Sequence, residues 1–188
     1  MSKISAMTPR GQAPIGAGII PYVENNINYS LSITNLLSSV GGGVEIATFA
    51  DVKAATSGGG TFTQDVYQTR DITTLDAVSW ASLATNQLTL AIGDYVLLAF
   101  LPACLVGKHS GRAHNVTASL NYDGVSAIAP TSPPIQSCSV VFCSFSLAVQ
   151  SIFEMQHKCE TTVGTYGFGT DGLADVASVF TIGGIIKL

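Results

Sequence analysis

Histidine and cysteine are the residue types in this chain that could bind a transition metal. The chain has three histidines and four cysteines among 188 residues. His109 and His114 follow Cys104, and His157 lies two residues before Cys159. Two residues five positions apart in one strand point to opposite faces, and no cysteines have the Cys-x2-Cys spacing of a metal site. We therefore predict no metal site and no cofactor, with His157 as a hydrogen-bonded residue of the core.

The sequence lacks the common catalytic motifs. It has no Gly-x-Ser-x-Gly elbow, no His-Glu-x-x-His pair and no phosphate-binding loop. A glycan-cleaving enzyme needs two paired carboxylates, and the 12 acidic residues are scattered one at a time. Asp171, Asp175 and the turn at 121–124 offer oxygen atoms without the density of a calcium loop. We predict that the protein is not an enzyme, with glycan cleavage as the weaker alternative.

The overall charge argues against a nucleic-acid partner. Eight basic residues are set against 12 acidic ones, which gives a net charge of −4 and no basic arm or patch. The mean hydropathy of +0.41 is high for a soluble monomer. That value indicates either an unusually large core for a domain of this size or apolar surface that is buried between chains, and the second is commoner in obligate oligomers.

The most apolar run, at 96–106, is too short to cross a membrane. As a helix it would span about 16 Å against roughly 30 Å of hydrocarbon, and Pro102 would break it. Near the N-terminus, Pro9 and Arg10 interrupt any apolar stretch, so no secretory signal is visible. We expect assembly in a reducing cytosol, with all four cysteines as free thiols.

The stretch 81–106 organises the rest of the chain. Leu88 and Leu90 alternate with polar residues, and Gly93-Asp94 is a short turn signal, so we predict two strands paired as a hairpin. The second strand is apolar on both faces, because odd and even positions from 95 to 101 alike hold apolar residues. One face belongs in a sandwich core, and the other requires a second cover, either a neighbouring subunit or another element of the same chain.

From residue 44 onward the pattern is one of strands joined by polar, glycine-rich connections. About eight strands at spacings of roughly 8 to 15 residues, with no convincing helix, predict an all-β sandwich or jelly roll. In the run 151–159, alternation places Phe153, Met155, His157 and Cys159 inward.

The strand at 137–149 also carries apolar residues on both sides. Cys143, Phe145, Leu147 and Val149 form one face, and Val140 and Phe142 form a patch on the other. A single sandwich core uses only one side of each strand, so we predict a permanent interface between subunits. The candidate interface residues are Val140, Phe142, Tyr95 and Phe180.

The first 43 residues differ from the rest. Prolines separate short apolar clusters, and a triple glycine at 41–43 follows them. Such a segment cannot bury a core of its own, so we predict an attachment arm at 1–43 with a glycine hinge, and a globular domain at 44–188. A short helix through Leu36 and Leu37 is possible. The candidate docking residues of the arm are Ile19, Ile20, Tyr22, Leu36 and Leu37.

An ordered set of short motifs resembles a known family. The motifs are YQTRD at 67–71, ASLATNQLTL at 81–90, GDYVLLAFLPA at 93–103, GKHSGRAHNVT at 107–117, FEMQHKCETT at 153–162 and YGFG at 166–169. In this order they resemble small bacteriophage virion proteins with a C-terminal jelly-roll knob of the tumour-necrosis-factor/C1q-like kind. The resemblance covers roughly 61–188. One motif departs from the family, because Arg112-Ala113-His114-Asn115 replaces its usual Arg-Leu-Tyr-Asn.

The resemblance implies a homotrimeric knob on a virion, assembled in the host cytoplasm. The knob would be a spike, a fibre tip or a head decoration, and MSKISAMTP with IIPYV is similar to arms that fix such knobs to other virion proteins. The alternative is a receptor-binding tip that recognises a host-surface glycan or protein. Aromatic residues in loops would serve that alternative, and the candidates are Tyr122, Tyr166 and Phe168.

Overall fold

The computed structural model describes the backbone of residues 19–24 and 27–32, and then residues 44–133, 135–170 and 176–188. These residues form strands and connections without a helix, so no helix long and apolar enough to span a membrane occurs among them. The strands are β1 (Ile19–Glu24), β2 (Ile27–Ser32), β3 (Glu45–Lys53), β4 (Gln68–Thr69), β5 (Thr74–Leu75), β6 (Ala81–Ala84), β7 (Gln87–Leu90), β8 (Gly93–Cys104), β9 (Gly107–Asn115), β10 (Leu120–Asp123), β11 (Ala127–Ala129), β12 (Gln136–Leu147), β13 (Ser151–Cys159) and β14 (Ser178–Lys187).

Two antiparallel sheets make the domain that begins at Val44. One has five strands in the order β12-β8-β14-β3-β5. The other has seven strands and follows the path β10-β9-β13-β7-β6, with β11 paired to β9 and β4 paired to β13. From β7 to β9, and again from β12 to β14, successive strands alternate between the two sheets. This alternation is the connectivity of a jelly roll, and the predicted all-β jelly-roll sandwich is confirmed.

The core lies between the sheets and follows the two-residue period of the strands. In β8 the odd positions from Tyr95 to Leu101 are fully buried, and in β13 Phe153, Met155 and His157 are fully buried. The inward face predicted for 151–159 is therefore confirmed. Cys143, Phe145 and Leu147 of β12 also point inward, as predicted. Val149 was predicted on the same face, but β12 ends at Leu147 and the Val149 side chain is 60% exposed, so that part of the prediction is wrong.

The hairpin predicted across Gly93 and Asp94 is wrong. β7 and β8 lie in different sheets, because the chain crosses the sandwich between Leu90 and Gly93. β7 pairs instead with β6. Their turn contains Thr85 and Asn86, whose φ angles of 49° and 65° are those of a type I′ turn. The glycine signal at position 93 thus marks a crossing between sheets.

The N-terminal segment forms a separate compact unit, Met1–Gly43, and the jelly roll forms the unit Val44–Leu188. Within the first unit, β1 and β2 pair as an antiparallel hairpin with Ile19 opposite Ser32. The described part of the predicted arm is therefore a β-hairpin. The short helix considered around Leu36 and Leu37 lies outside the described residues.

Arg70, directly after β4, ties together one end of the sandwich. Its side chain is only 1% exposed. It donates hydrogen bonds to the Thr181 hydroxyl and to the carbonyl groups of Pro102 and Phe168, each at 3.1 Å, and to the Phe180 carbonyl at 2.5 Å. The guanidinium also lies over the Phe168 ring, 4.2 Å from its centroid. One side chain thus links β8, β14 and the loop before β14.

Nearby carboxylates oppose the cost of burying this cation. Burial lowers the pKa of Arg70 to about 9, while Asp51 and Asp71 raise it, so the guanidinium stays charged at neutral pH. Asp51 is itself 2% exposed, and burial raises its pKa. The Lys53 ammonium lies 2.7 Å from Asp71 and 3.6 Å from Asp51, which completes a network of two cations and two anions.

We expect Arg70→Lys to lower the free energy of unfolding by about 3 kcal/mol or more. A lysine ammonium lacks the planar fork of donors, so buried carbonyl groups would lose their partners. Chemical denaturation followed by the fluorescence of Trp80, the single tryptophan, measures the change. The control is Arg112→Lys on the outer face, with an expected change within about 1 kcal/mol. Equal losses in the two variants would show that Arg70 has no special role.

Candidate functional site

The outer face of the five-stranded sheet is a continuous apolar surface. The register of β12, β8 and β14 places Val140 opposite Phe100, and Phe100 opposite Ile182. In the next outward row Phe142 lies opposite Leu98. These residues occupy three adjacent strands, so their side chains form one patch rather than isolated positions.

The exposure of this patch is high for large apolar side chains. Phe142 is 70% exposed, Ile182 51%, Phe100 40% and Leu98 38%. Ile46 of β3, at 59%, extends the surface across the sheet. Contiguous apolar surface of this kind marks an interaction site in soluble proteins. We call this surface the apolar face, formed by Val140, Phe142, Phe100, Leu98, Ile182 and Ile46.

The outer face of the seven-stranded sheet has the opposite character. The Glu154 carboxylate accepts hydrogen bonds from Thr69 at 2.9 Å and from Gln87 and Gln156 at 2.8 Å. Burial alone would raise the pKa of Glu154, but these hydrogen bonds bring it below its ordinary value. The side-chain amide oxygen of Gln156 in turn accepts two hydrogen bonds from the Arg112 guanidinium, at 2.9 and 2.7 Å. This polar ladder satisfies its own groups and is suited to contact with water.

Two of the four predicted interface residues are wrong. Tyr95 is fully buried, because it shares the inward face of β8, and its hydroxyl donates to the Ala91 carbonyl at 2.9 Å. Phe180 is 1% exposed. A bulge between Val179 and Thr181 interrupts the alternation of β14 and turns both Phe180 and Thr181 inward. Neither Tyr95 nor Phe180 can offer its side chain to another subunit.

The other two predicted interface residues, Val140 and Phe142, lie on the outer face as expected, with Val140 half-buried. Phe100, Leu98, Ile182 and Ile46 were not among the interface residues predicted from the sequence. The parity of β8 could have identified Phe100 and Leu98, because they alternate with the core residues. Ile182 required knowledge of the bulge, and Ile46 required the strand order.

Two of the three predicted receptor residues pack inward. The Tyr122 ring is half-buried, 5.2 Å from the Phe145 ring centroid and 6.3 Å from that of Phe153. The Phe168 ring packs against the Phe62 ring, with 4.4 Å between their centroids, and its face contacts the Arg70 guanidinium. Both rings are therefore structural, and their prediction as receptor contacts is wrong.

Tyr166, the third predicted receptor residue, is 41% exposed and stays a candidate. Among the docking residues, Ile19, Ile20 and Tyr22 belong to β1, whereas Leu36 and Leu37 lie outside the described residues. The docking role of this segment stays a prediction.

Three side chains form a hydrogen-bonded row at the end of the core. The Nδ1 atom of His109 lies 2.9 Å from Nε2 of His157, and Nε2 of His109 lies 2.7 Å from the Ser137 hydroxyl. This arrangement confirms the prediction for His157 and adds His109, which the sequence analysis weighed only as a metal ligand and whose burial it did not predict. The pairing of β9 with β13 places the two histidines together. Cys159 lies directly opposite His109, and His157, two residues before Cys159, lies on the same inward face.

The row is unsuited to base catalysis at neutral pH. Burial lowers the pKa of His109 to about 4 and that of His157 well below its ordinary value, and the nearby Arg70 cation adds to both shifts. A general base works best with a pKa near the operating pH. In the part of the chain that the structure describes, no group of three His, Cys, Asp or Glu side chains could hold a metal ion. The row therefore joins the two sheets as a structural contact.

We expect the histidine row to make stability fall as the pH falls from about 6.5 towards 4. The pKa values of His109 and His157 are both lower in the folded protein than in the unfolded chain. As the pH falls, the unfolded chain therefore binds protons first, and this stabilises the unfolded state relative to the folded state. The melting temperature measured between pH 7 and 5 reports on histidine, because carboxylates titrate mainly below that range. His109→Gln should flatten this dependence, and His114→Gln on the outer face should leave it unchanged. A flat profile in the unmodified protein would contradict this prediction.

We expect Phe142→Asp to weaken self-association and leave the fold intact. The side chain is 70% exposed in the subunit, so a carboxylate there costs little until another chain covers it. Light scattering coupled to gel filtration gives the mass, and circular dichroism checks the fold. Ile92→Asp is the matched control, because Ile92 is 62% exposed outside the apolar face. Unchanged mass in the Phe142 variant would contradict the role of this face.

An open groove of about 640 Å³ lies against β9, β11 and β13. Its lining includes Tyr67, Lys108, Ser110, Ile128, Lys158 and Glu160. None of the predicted receptor residues lines the groove, and the sequence alone did not indicate it. The groove combines a tyrosine ring, apolar side chains and several polar groups, which is the usual chemistry of a ligand site.

Comparison with known proteins yields structural likeness alone. No protein-family model matches the sequence. No curated protein matches it either. Among solved structures, the chain is similar to crystal structures of murine APRIL at pH 8.0 and pH 8.5, with TM-scores of 0.44 and 0.41 and sequence identities of 8% and 9%. Each match covers 77% of this chain and 99% of the APRIL chain.

Proposed function

We propose that this chain is a structural protein of a bacteriophage virion, the subunit of a homotrimeric knob that projects as a spike, a fibre tip or a head decoration. The jelly roll at Val44–Leu188 forms the knob, and Met1–Gly43 docks it onto other virion proteins. The observation that carries the assembly part of this proposal is the apolar face of the five-stranded sheet.

Energetics favour a permanent cover for this face. Apolar surface of a few hundred Å² left in water forgoes several kcal/mol at about 25 cal/mol per Å², which is comparable with the net stability of a domain. A second copy of the same chain offers an apolar surface of the same kind, and most soluble oligomers are homo-oligomers. The choice of a trimer follows the family resemblance and not these energies.

The virion role is supported by the motif order rather than by any single residue. The first motif, YQTRD, contains Arg70, which holds together one end of the jelly roll. The FEMQHKCETT motif contains His157 of the buried row. These two motifs thus contain residues that hold the domain together, so the resemblance bears on the fold of the knob, and the virion role is our proposal from the order of the motifs.

A receptor-binding tip is the second candidate function, and the groove beside β9 favours it. The groove lies against the seven-stranded sheet, whereas the apolar face belongs to the other sheet. Assembly through the apolar face would thus leave the groove accessible to a ligand.

Two measurements test the proposed function. The full chain and a truncated chain beginning at Val44 should both have the mass of a trimer by light scattering at micromolar concentration. In cells that assemble the particle, antibody labelling should find the full chain on intact virions, and the truncated chain should be absent from them. A stable monomer would contradict the assembly proposal, and incorporation of the truncated chain would remove the docking role of the first 43 residues.

A further inference from the structure

The groove against β9, β11 and β13 contains an aromatic ring held in a fixed position. Tyr67 is 37% exposed, and the Arg112 guanidinium lies over its ring, 3.5 Å from the centroid. Arg112 is fixed in turn by two hydrogen bonds to Gln156 in the polar ladder. One face of the tyrosine ring is therefore occupied, and the ring presents its remaining surface to the groove without losing much side-chain freedom on binding.

The carboxylates of the groove are already engaged. Glu160 accepts a hydrogen bond from the backbone N–H of Lys108 at 3.0 Å. Asp65 lies 3.6 Å from the Lys158 ammonium and accepts a hydrogen bond from Gln64 at 3.2 Å. These contacts partly neutralise the negative charge of the groove.

The Lys108 ammonium is the second cation of the groove besides Lys158. It takes part in no ion pair among the described residues. Lys158 already lies near Asp65, so Lys108 is the lysine of the groove that is available to an anionic ligand. The Ser110 and Ser126 hydroxyls lie in the same groove and can donate or accept hydrogen bonds.

We infer that this groove binds an acidic saccharide, with the sugar ring against Tyr67 and its carboxylate on Lys108. The serine hydroxyls and the engaged carboxylates supply partners for the sugar hydroxyl groups. A volume of about 640 Å³ is within the usual range of small-ligand sites and admits a short oligosaccharide. This inference rests on the receptor-binding form of the proposed function and gives that function a site and a ligand class.

Matched sugars test the inference on the full-length protein. Calorimetric titration compares 3′-sialyllactose with lactose, and trigalacturonic acid with its methyl ester. At least one acidic sugar should bind about tenfold more tightly than its neutral counterpart, because only the acid can pair with Lys108. Failure of both acidic sugars to bind, or equal binding within both pairs, would overturn the inference.

Three variants locate the binding. Tyr67→Ala should weaken the acidic sugar about tenfold through loss of the ring contact, and Lys108→Gln should abolish the preference for the acid. Tyr166→Ala is the control, since that ring is 41% exposed outside the groove, and it should leave binding unchanged. An equal loss in the Tyr166 variant would place the sugar elsewhere and overturn the site.

Light scattering on the same samples separates this inference from the assembly proposal. A monomer that binds the acidic sugar through Tyr67 would remove the proposed trimer and leave the groove assignment standing. A trimer that binds neither acidic sugar would do the reverse.

Discussion

The buried charge of Arg70 is the constraint on which the architecture of this domain depends. A guanidinium removed from water costs several kcal/mol unless its donors and its charge are compensated. Four acceptors and two nearby carboxylates provide that compensation, and they come from widely separated parts of the chain. Pro102, Phe168 and Phe180 must therefore keep their positions whenever Arg70 is buried. The bulge in β14 serves the same contact, because it leaves the Phe180 carbonyl without a partner position in β3.

The outer faces of the two sheets differ in chemistry, since one is polar and the other is apolar. On the seven-stranded sheet, hydrogen bonds centred on Glu154 and Gln156 satisfy the polar groups within the subunit. On the five-stranded sheet, Phe142, Leu98 and Phe100 stay exposed in the subunit. The groove with Lys108 lies on the first side. The proposed assembly and the inferred ligand binding would therefore use different sheets and would not compete for the same surface.

Much of the fold was predictable from the sequence, because alternation of apolar and polar residues reports directly on strand faces. The inward residues of β13 and β12 followed from that period alone. The hairpin at Gly93 failed because a glycine turn between two strands does not reveal whether they pair or cross between sheets. The prediction that Phe180 lies at the interface was wrong because a β-bulge reverses which alternate residues of the strand point inward. The local sequence does not show the bulge.

The candidate sites were less predictable, since they depend on strand register and on contacts between distant residues. Tyr122 and Phe168 lie in connections or short strands that resemble exposed loops, yet each ring covers part of the core. Tyr67 belongs to the YQTRD motif, and only the fold places it in the same groove as Lys108. Arg70 is followed by an aspartate and resembles a surface residue, so its burial had no local signal.

The apolar face also makes stability a matter of mass action. In the proposed trimer, each subunit hides Phe142 and Ile182 only while its partners are bound, so dilution removes part of the free energy that keeps the chain folded. The fraction of folded protein then rises steeply with concentration, and scarce subunits spend longer with the face uncovered. Because the partners in the proposed homotrimer are further copies of the same chain, subunits at high concentration would stabilise one another, whereas subunits at low concentration would unfold more often. The surface of one sheet thereby links the survival of the subunit to the rate at which its own copies accumulate.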